Sequence, residues 1–95
     1  MRMRKLEIGS HVVDVIETND LNVFGSSERL GRYSIHQLKI WIKKGIAESM
    51  KYAVLFHEIY EFCLAYYGLS YDHDGFQKFS LFLYDVLTKN KLLRM

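Results

Sequence analysis

Apolar and polar positions alternate through the first half of the chain and recur at helical spacing in the second. Leu6 and Ile8, then Val13 and Val15 with His11 as a further position, alternate with Lys5, Glu7, Val12, Asp14 and Ile16. This is the period-two pattern of half-buried strands, and Gly9-Ser10 between the two runs predicts a hairpin turn. Thr18-Asn19-Asp20-Leu21-Asn22 and Gly25-Ser26-Ser27 carry loop chemistry, which predicts a connection of moderate length with a mobile tip. Two more short strands are expected at Arg32-Tyr33-Ser34-Ile35 and Leu38-Lys39-Ile40-Trp41-Ile42, with His36-Gln37 as the turn between them.

From about Ala47 the period becomes helical. Met50, Ala53, Val54, His57, Glu61 and Leu64 recur at spacings of three and four and are the expected inward stripe; Gly68, after Tyr66-Tyr67, is the expected C-cap. A second helix is predicted to begin near Asp72, a suitable N-cap. It places Phe76, Phe79, Ser80, Leu83, Val86 and Leu87 on one face and ends at Thr88-Lys89-Asn90, with His73 on that same inward face. Strands followed by helices predict an α+β fold. The expected form is a small, mostly antiparallel sheet with two packed helices on one side, near 47–67 and 73–89.

Composition narrows the setting more than the function. At 95 residues the chain has room for one domain, 1–95, with one core and one site. The formal net charge of +2 is too small to make nucleic acid the expected partner. A single cysteine, Cys63, cannot form an internal disulfide, so stability must come from packing or from a metal, and a reducing, cytoplasmic setting is expected. No apolar run nears the roughly eighteen residues that suggest a membrane span, so no membrane partner is expected. The basic residues Arg29, Arg32, Lys39, Lys43 and Lys44 read as protection of a sheet edge, and Cys63 as a small core residue.

The stripe of the first helix is interrupted by His57-Glu58-Ile59-Tyr60-Glu61. His57 and Glu61 are four apart and project from one helical face, as two ligands of one metal do. Zinc accepts both imidazole nitrogen and carboxylate oxygen, and a catalytic zinc takes three protein ligands with a position left for water. His73 can supply the third, since the short Gly68-Leu69-Ser70 connection would fold the second helix back against the first. Glu58 lies about 100° round the helix from His57 and is the candidate general base toward a metal-activated water. Tyr33, His36, Tyr66, Tyr67 and Tyr84 are all candidates for the oxyanion stabiliser, and the sequence does not choose among them. A buried His57–Glu61 ion pair without metal would also relieve an unpaired charge on the stripe.

At these residues the chain resembles the zincin metallopeptidases, and more closely a group of very short zincin-like proteins of phages and their bacterial hosts. The resemblance rests on Gly31-Arg32-Tyr33 through Ile42, on Val54-Leu55-Phe56-His57-Glu58, and on Leu83-Tyr84-Asp85-Val86-Leu87-Thr88-Lys89-Asn90. It covers most of the chain. It implies a minimal zincin-like fold, Zn2+ held by His57, Glu61 and His73, and hydrolysis of a peptide or protein substrate with Glu58 as general base. The departure is Glu61, which stands where the usual motif has a second His; with His73 downstream, the two ligand types look exchanged. A carboxylate there alters metal charge, affinity and the acidity of bound water. Two His and one carboxylate also suit Fe2+.

An extended peptide substrate is expected to add as a strand along Leu38–Ile42, taken as the sheet edge. The alternative is a non-catalytic, metal-stabilised interaction module of a phage or mobile element, which needs the ligands but not Glu58.

Overall fold

The computed structural model describes residues 5–25, 29–68, 81, 83 and 85–91. Ser26 and Ser27 of the loop expected after the first hairpin, the start of the second helix with Asp72 and His73, and Tyr84 lie outside them.

The first two strands, β1 (Lys5–Ile8) and β2 (His11–Thr18), pair antiparallel, with Leu6 opposite Val13 and Ile8 opposite His11. Two residues make the turn. Gly9 adopts φ 60°, a left-handed conformation that glycine tolerates at the first central position of a tight hairpin. The apolar alternation is realised: Leu6, Ile8, Val13 and Val15 are buried on one face.

The stretch read as loop chemistry after β2 contains one helical turn, α1 (Leu21–Phe24). Its cause is local. The Asp20 carboxylate accepts the Asn22 amide N–H at 2.9 Å, the Asp20 carbonyl accepts the Val23 amide N–H at 3.1 Å, and Thr18 Oγ1 accepts the Asp20 amide N–H at 3.1 Å. Residues that favour loops thus cap a turn here, and Phe24 at its end is buried.

The second hairpin joins β3 (Gly31–Ser34) and β4 (Lys39–Lys43), with Tyr33 opposite Ile40. Its position in the sheet corrects an expectation. The strand order is β1-β2-β4-β3, and β4 runs parallel to β2 with Val15 beside Ile40. Leu38–Ile42 is therefore interior, and the edges are β1 and β3. Lys39 and Lys43 accordingly protect no edge. Arg32, on β3, lies with its guanidinium 5.4 Å from the Trp41 ring centroid and donates to the Val23 carbonyl at 2.9 Å.

One long helix, α2 (Glu48–Tyr67), crosses the buried face of the sheet and stops at Gly68, which takes the left-handed conformation at φ 62° as a C-cap does. Its first turn is tied to β2 by Lys51, whose ammonium lies 2.6 Å from the Glu17 carboxylate. The core joins Leu6, Ile8, Val13, Val15, Ile40 and Ile42 of the sheet to Leu55, Ile59, Phe62 and Cys63 of α2. The reading of Cys63 as a core residue is correct, and burial pushes its thiol pKa up.

Residues 85–89 are helical, and Val86 is fully buried in the same core. The helix ends where the sequence suggested, and Asn90 fastens it to β1. The Asn90 side-chain amide accepts the Glu7 N–H at 2.9 Å and donates to the Glu7 carbonyl at 3.1 Å and the Val86 carbonyl at 2.8 Å. The molecule is thus α+β, a four-stranded, mostly antiparallel sheet with helices packed on it. No helix among the described residues is long and apolar enough to cross a membrane.

Candidate functional site

The face that α2 turns to the sheet differs from the expected stripe. Val54, Leu55, Glu58, Ile59, Phe62 and Cys63 are buried, whereas Met50 is 47% exposed and Ala53 and His57 are exposed. The helix is turned by about one residue, some 100°, relative to the sequence reading. A three- and four-residue spacing fits more than one face of an apolar-rich helix; the bulk of Leu55, Ile59 and Phe62 decides which one the sheet takes.

This rotation exchanges the roles expected for the acidic residues. His57 and Glu61 stand at the rim, with side chains 65% and 40% exposed and His57 Nε2 3.6 Å from Glu61 Oε1. Glu58 goes inward. It is 5% exposed and is the buried charged residue of the described core, and its Oε1 has no hydrogen-bond partner among the described residues. Burial pushes the Glu58 pKa up; the nearby His57 and Arg29 pull it down, and Glu61 adds to the rise.

Glu58 fits under the edge strand because residue 31 is glycine. A Cβ at Gly31 would lie 2.5 Å from Val54 Cγ1, 3.0 Å from Glu58 Cγ and 3.1 Å from Glu58 Oε2. The first distance is one that real Cβ atoms do not show. The start of β3 therefore rests directly on the α2 side chains.

Between β3 and α2 opens a cleft of about 580 Å³. Its walls are apolar along Leu30, Met50, Ala53 and Val54, and its polar groups are Arg29, Tyr33, His57, Glu58 and Glu61. Arg29 is held at the mouth by its Nε, which donates to the Gly31 carbonyl at 3.0 Å. A second hollow of about 490 Å³ continues along the same edge past Tyr33 to Ser34 and His36.

The structure thus brings together three of the four expected site residues, His57, Glu58 and Glu61. The fourth, His73, lies outside the described residues. Among the described residues no group of three or more His, Cys, Asp or Glu side chains converges as a complete metal site. The donor chemistry nevertheless fits a divalent metal in part: one imidazole and one carboxylate face each other one helical turn apart, beside a buried carboxylate whose Oε1 has no partner among the described residues. Of the candidate oxyanion groups, Tyr33 lines the cleft. Tyr66 instead packs against His11 and Phe62 at the far end of α2, with Tyr67 against it.

Gly31 and Arg29 are the cleft residues that sequence reasoning did not single out for the site. Nothing in the local pattern marks Gly31, because its requirement comes from Val54 and Glu58, more than twenty positions further along the chain.

No family model matches the chain, no curated protein matches it, and no solved structure matches it.

Proposed function

We propose that the protein is a small zinc-dependent metallopeptidase acting in the cleft between β3 and α2. The observation that carries this reading is Glu58: a carboxylate buried beside the cleft, with Oε1 unpartnered among the described residues, next to the facing His57 and Glu61 donors. A buried unsatisfied acceptor costs about 1–3 kcal/mol, and a site that uses that oxygen gives a reason for keeping it.

His57 and Glu61 would hold the metal from one face of α2, with His73 the third donor expected from the sequence. Zinc held there would supply Lewis acidity toward the carbonyl and toward the attacking water. Glu58 would take the proton from the attacking water on its carboxylate. As the carbonyl carbon gains the oxygen and the C–N bond breaks, the same carboxylate delivers that proton to the leaving nitrogen. Val54 and Leu30 exclude bulk water around it. Tyr33, the candidate phenol lining the cleft, would donate toward the carbonyl oxygen as negative charge develops there.

The open edge for an extended substrate is β3, in place of the Leu38–Ile42 segment. Main-chain pairing along Gly31–Ser34 would run a peptide across both hollows.

The test begins with metal content by elemental analysis of protein purified without added metal, with His57→Ala, Glu61→Ala and His73→Ala alongside. About one zinc per chain, lost in each variant, is expected. Peptide hydrolysis that disappears in Glu58→Gln while metal content is retained completes the case. Metal binding with no hydrolysis in the unsubstituted protein would identify a non-catalytic, metal-stabilised module.

A further inference from the structure

We infer that Arg29 is a specificity-determining residue of the cleft, reading a carboxylate on the bound peptide. The inference deepens the peptidase reading and rests on it for the identity of the ligand as a peptide.

Arg29 stands two residues before Gly31, the first residue of β3, and is exposed where it lines the cleft. Its Nε is committed to the Gly31 carbonyl at 3.0 Å, a bond that fixes the plane of the guanidinium against the strand. Gly31 in turn lies flush on Glu58, within 3.1 Å of Oε2 measured from the position a Cβ would take. The cation is thereby anchored beside the candidate reaction centre, not left to sweep through solvent.

The two terminal nitrogens remain. Among the described residues Arg29 makes no other hydrogen bond and no ion pair, although Glu58 and Glu61 line the same cleft. A planar guanidinium with its terminal donors free is matched by a carboxylate, which it can bind through two parallel bonds. The neighbouring wall at Leu30, Met50 and Val54 is apolar, which lowers water's competition for that pair. The cleft thus offers an apolar wall with one anchored cation at its mouth. A peptide laid along β3 and carrying a carboxylate near the cleavage point complements it in both respects.

The carboxylate has two sources, an acidic side chain or the C-terminus of a short peptide, and three peptides separate them. One is capped at both ends and carries a central Glu, one is neutral with a free C-terminal carboxylate, and one is neutral and capped. Each is titrated into the full-length protein and into Arg29→Gln. Backbone amide shifts of Leu30 and Gly31 are followed with chelator present, and peptide cleavage is followed with zinc present.

We expect one carboxylate peptide to bind about tenfold more tightly than the neutral one, in line with a charge-assisted bidentate pair. In Arg29→Gln that preference disappears while the neutral peptide binds as before. Which carboxylate peptide is preferred assigns the source. The inference is overturned by absence of any preference, including absence of binding by all three peptides. It is equally overturned by a preference that survives Arg29→Gln, or by a substitution that weakens all three alike. Because binding is read without zinc, a carboxylate preference with no cleavage would reject the peptidase reading and leave the role of Arg29 standing.

Discussion

Gly31 and Glu58 are in such close apposition that no side chain larger than hydrogen fits between the edge strand and the helix. A methyl group at residue 31 would lie 3.0 Å from Glu58 Cγ and 2.5 Å from Val54 Cγ1. Val54 is β-branched and stiff about χ1, so it cannot swing clear cheaply. Gly31→Ala should therefore destabilise the fold by about 1–3 kcal/mol, the usual range for an overpacked core, read as a lower denaturant midpoint. If β3 yields instead of the helix, the cleft widens beside Glu58. Any hydrolytic activity should then fall more than the stability loss accounts for.

Glu58 should trade stability for function. Glu58→Gln keeps the shape and removes a carboxylate that burial disfavours in its charged form. The sign with pH follows from the raised pKa. As pH rises from acid, the unfolded chain releases this proton first while the folded protein still holds it, so folding stability declines through that interval. In chelated protein, Glu58→Gln should lack this decline. Its stability relative to the unsubstituted chain should be least favourable at low pH, improve as pH climbs past the ordinary carboxylate range, and level off above the folded-state pKa. Urea midpoints measured across pH on both proteins check this; parallel curves would contradict it.

Asn90 does for β1 what a neighbouring strand would do. Its amide pairs with both the N–H and the carbonyl of Glu7, the two groups that an edge strand otherwise presents for pairing. Lys89 adds a bond from its ammonium to the Gly9 carbonyl at 3.1 Å. Asn90→Ala should cost about 1–3 kcal/mol for the lost hydrogen bonds. It should also expose the β1 edge, so that a larger, concentration-dependent species appears in light scattering after gel filtration. A variant that is destabilised but strictly monomeric would show that Asn90 anchors the helix without shielding the strand.

Cys63 should be chemically silent in the folded protein. It is fully buried, and the raised thiol pKa further lowers the fraction of reactive thiolate. Iodoacetamide modification followed by mass spectrometry should proceed only as fast as the chain opens, and accelerate sharply in urea. Rapid modification under native conditions would place the thiol at a mobile interface.

Most of the architecture is legible in the sequence, because the signals involved are local. Alternation at Leu6, Ile8, Val13 and Val15 fixes the first hairpin and its buried face, since successive strand residues point to opposite sides. Gly9 and Gly68 mark a turn and a helix end because both need a left-handed backbone. The His57-Glu58-x-x-Glu61 spacing likewise places its groups on adjacent faces of one helix before any packing is known.

What the sequence left open is every quantity that depends on a distant partner. The helical period of α2 is satisfied by two neighbouring faces, and only contact with Ile40, Ile42 and the rest of the sheet selects the one bearing Leu55, Ile59 and Phe62. That selection sends Glu58 inward and leaves His57 and Glu61 at the rim. Strand order is likewise non-local: the insertion of β4 beside β2 makes β3 an edge strand and brings Gly31 onto Glu58. Periodicity states which residues share a face, but close packing between elements far apart in the chain decides what that face meets, and the cleft exists only through that meeting.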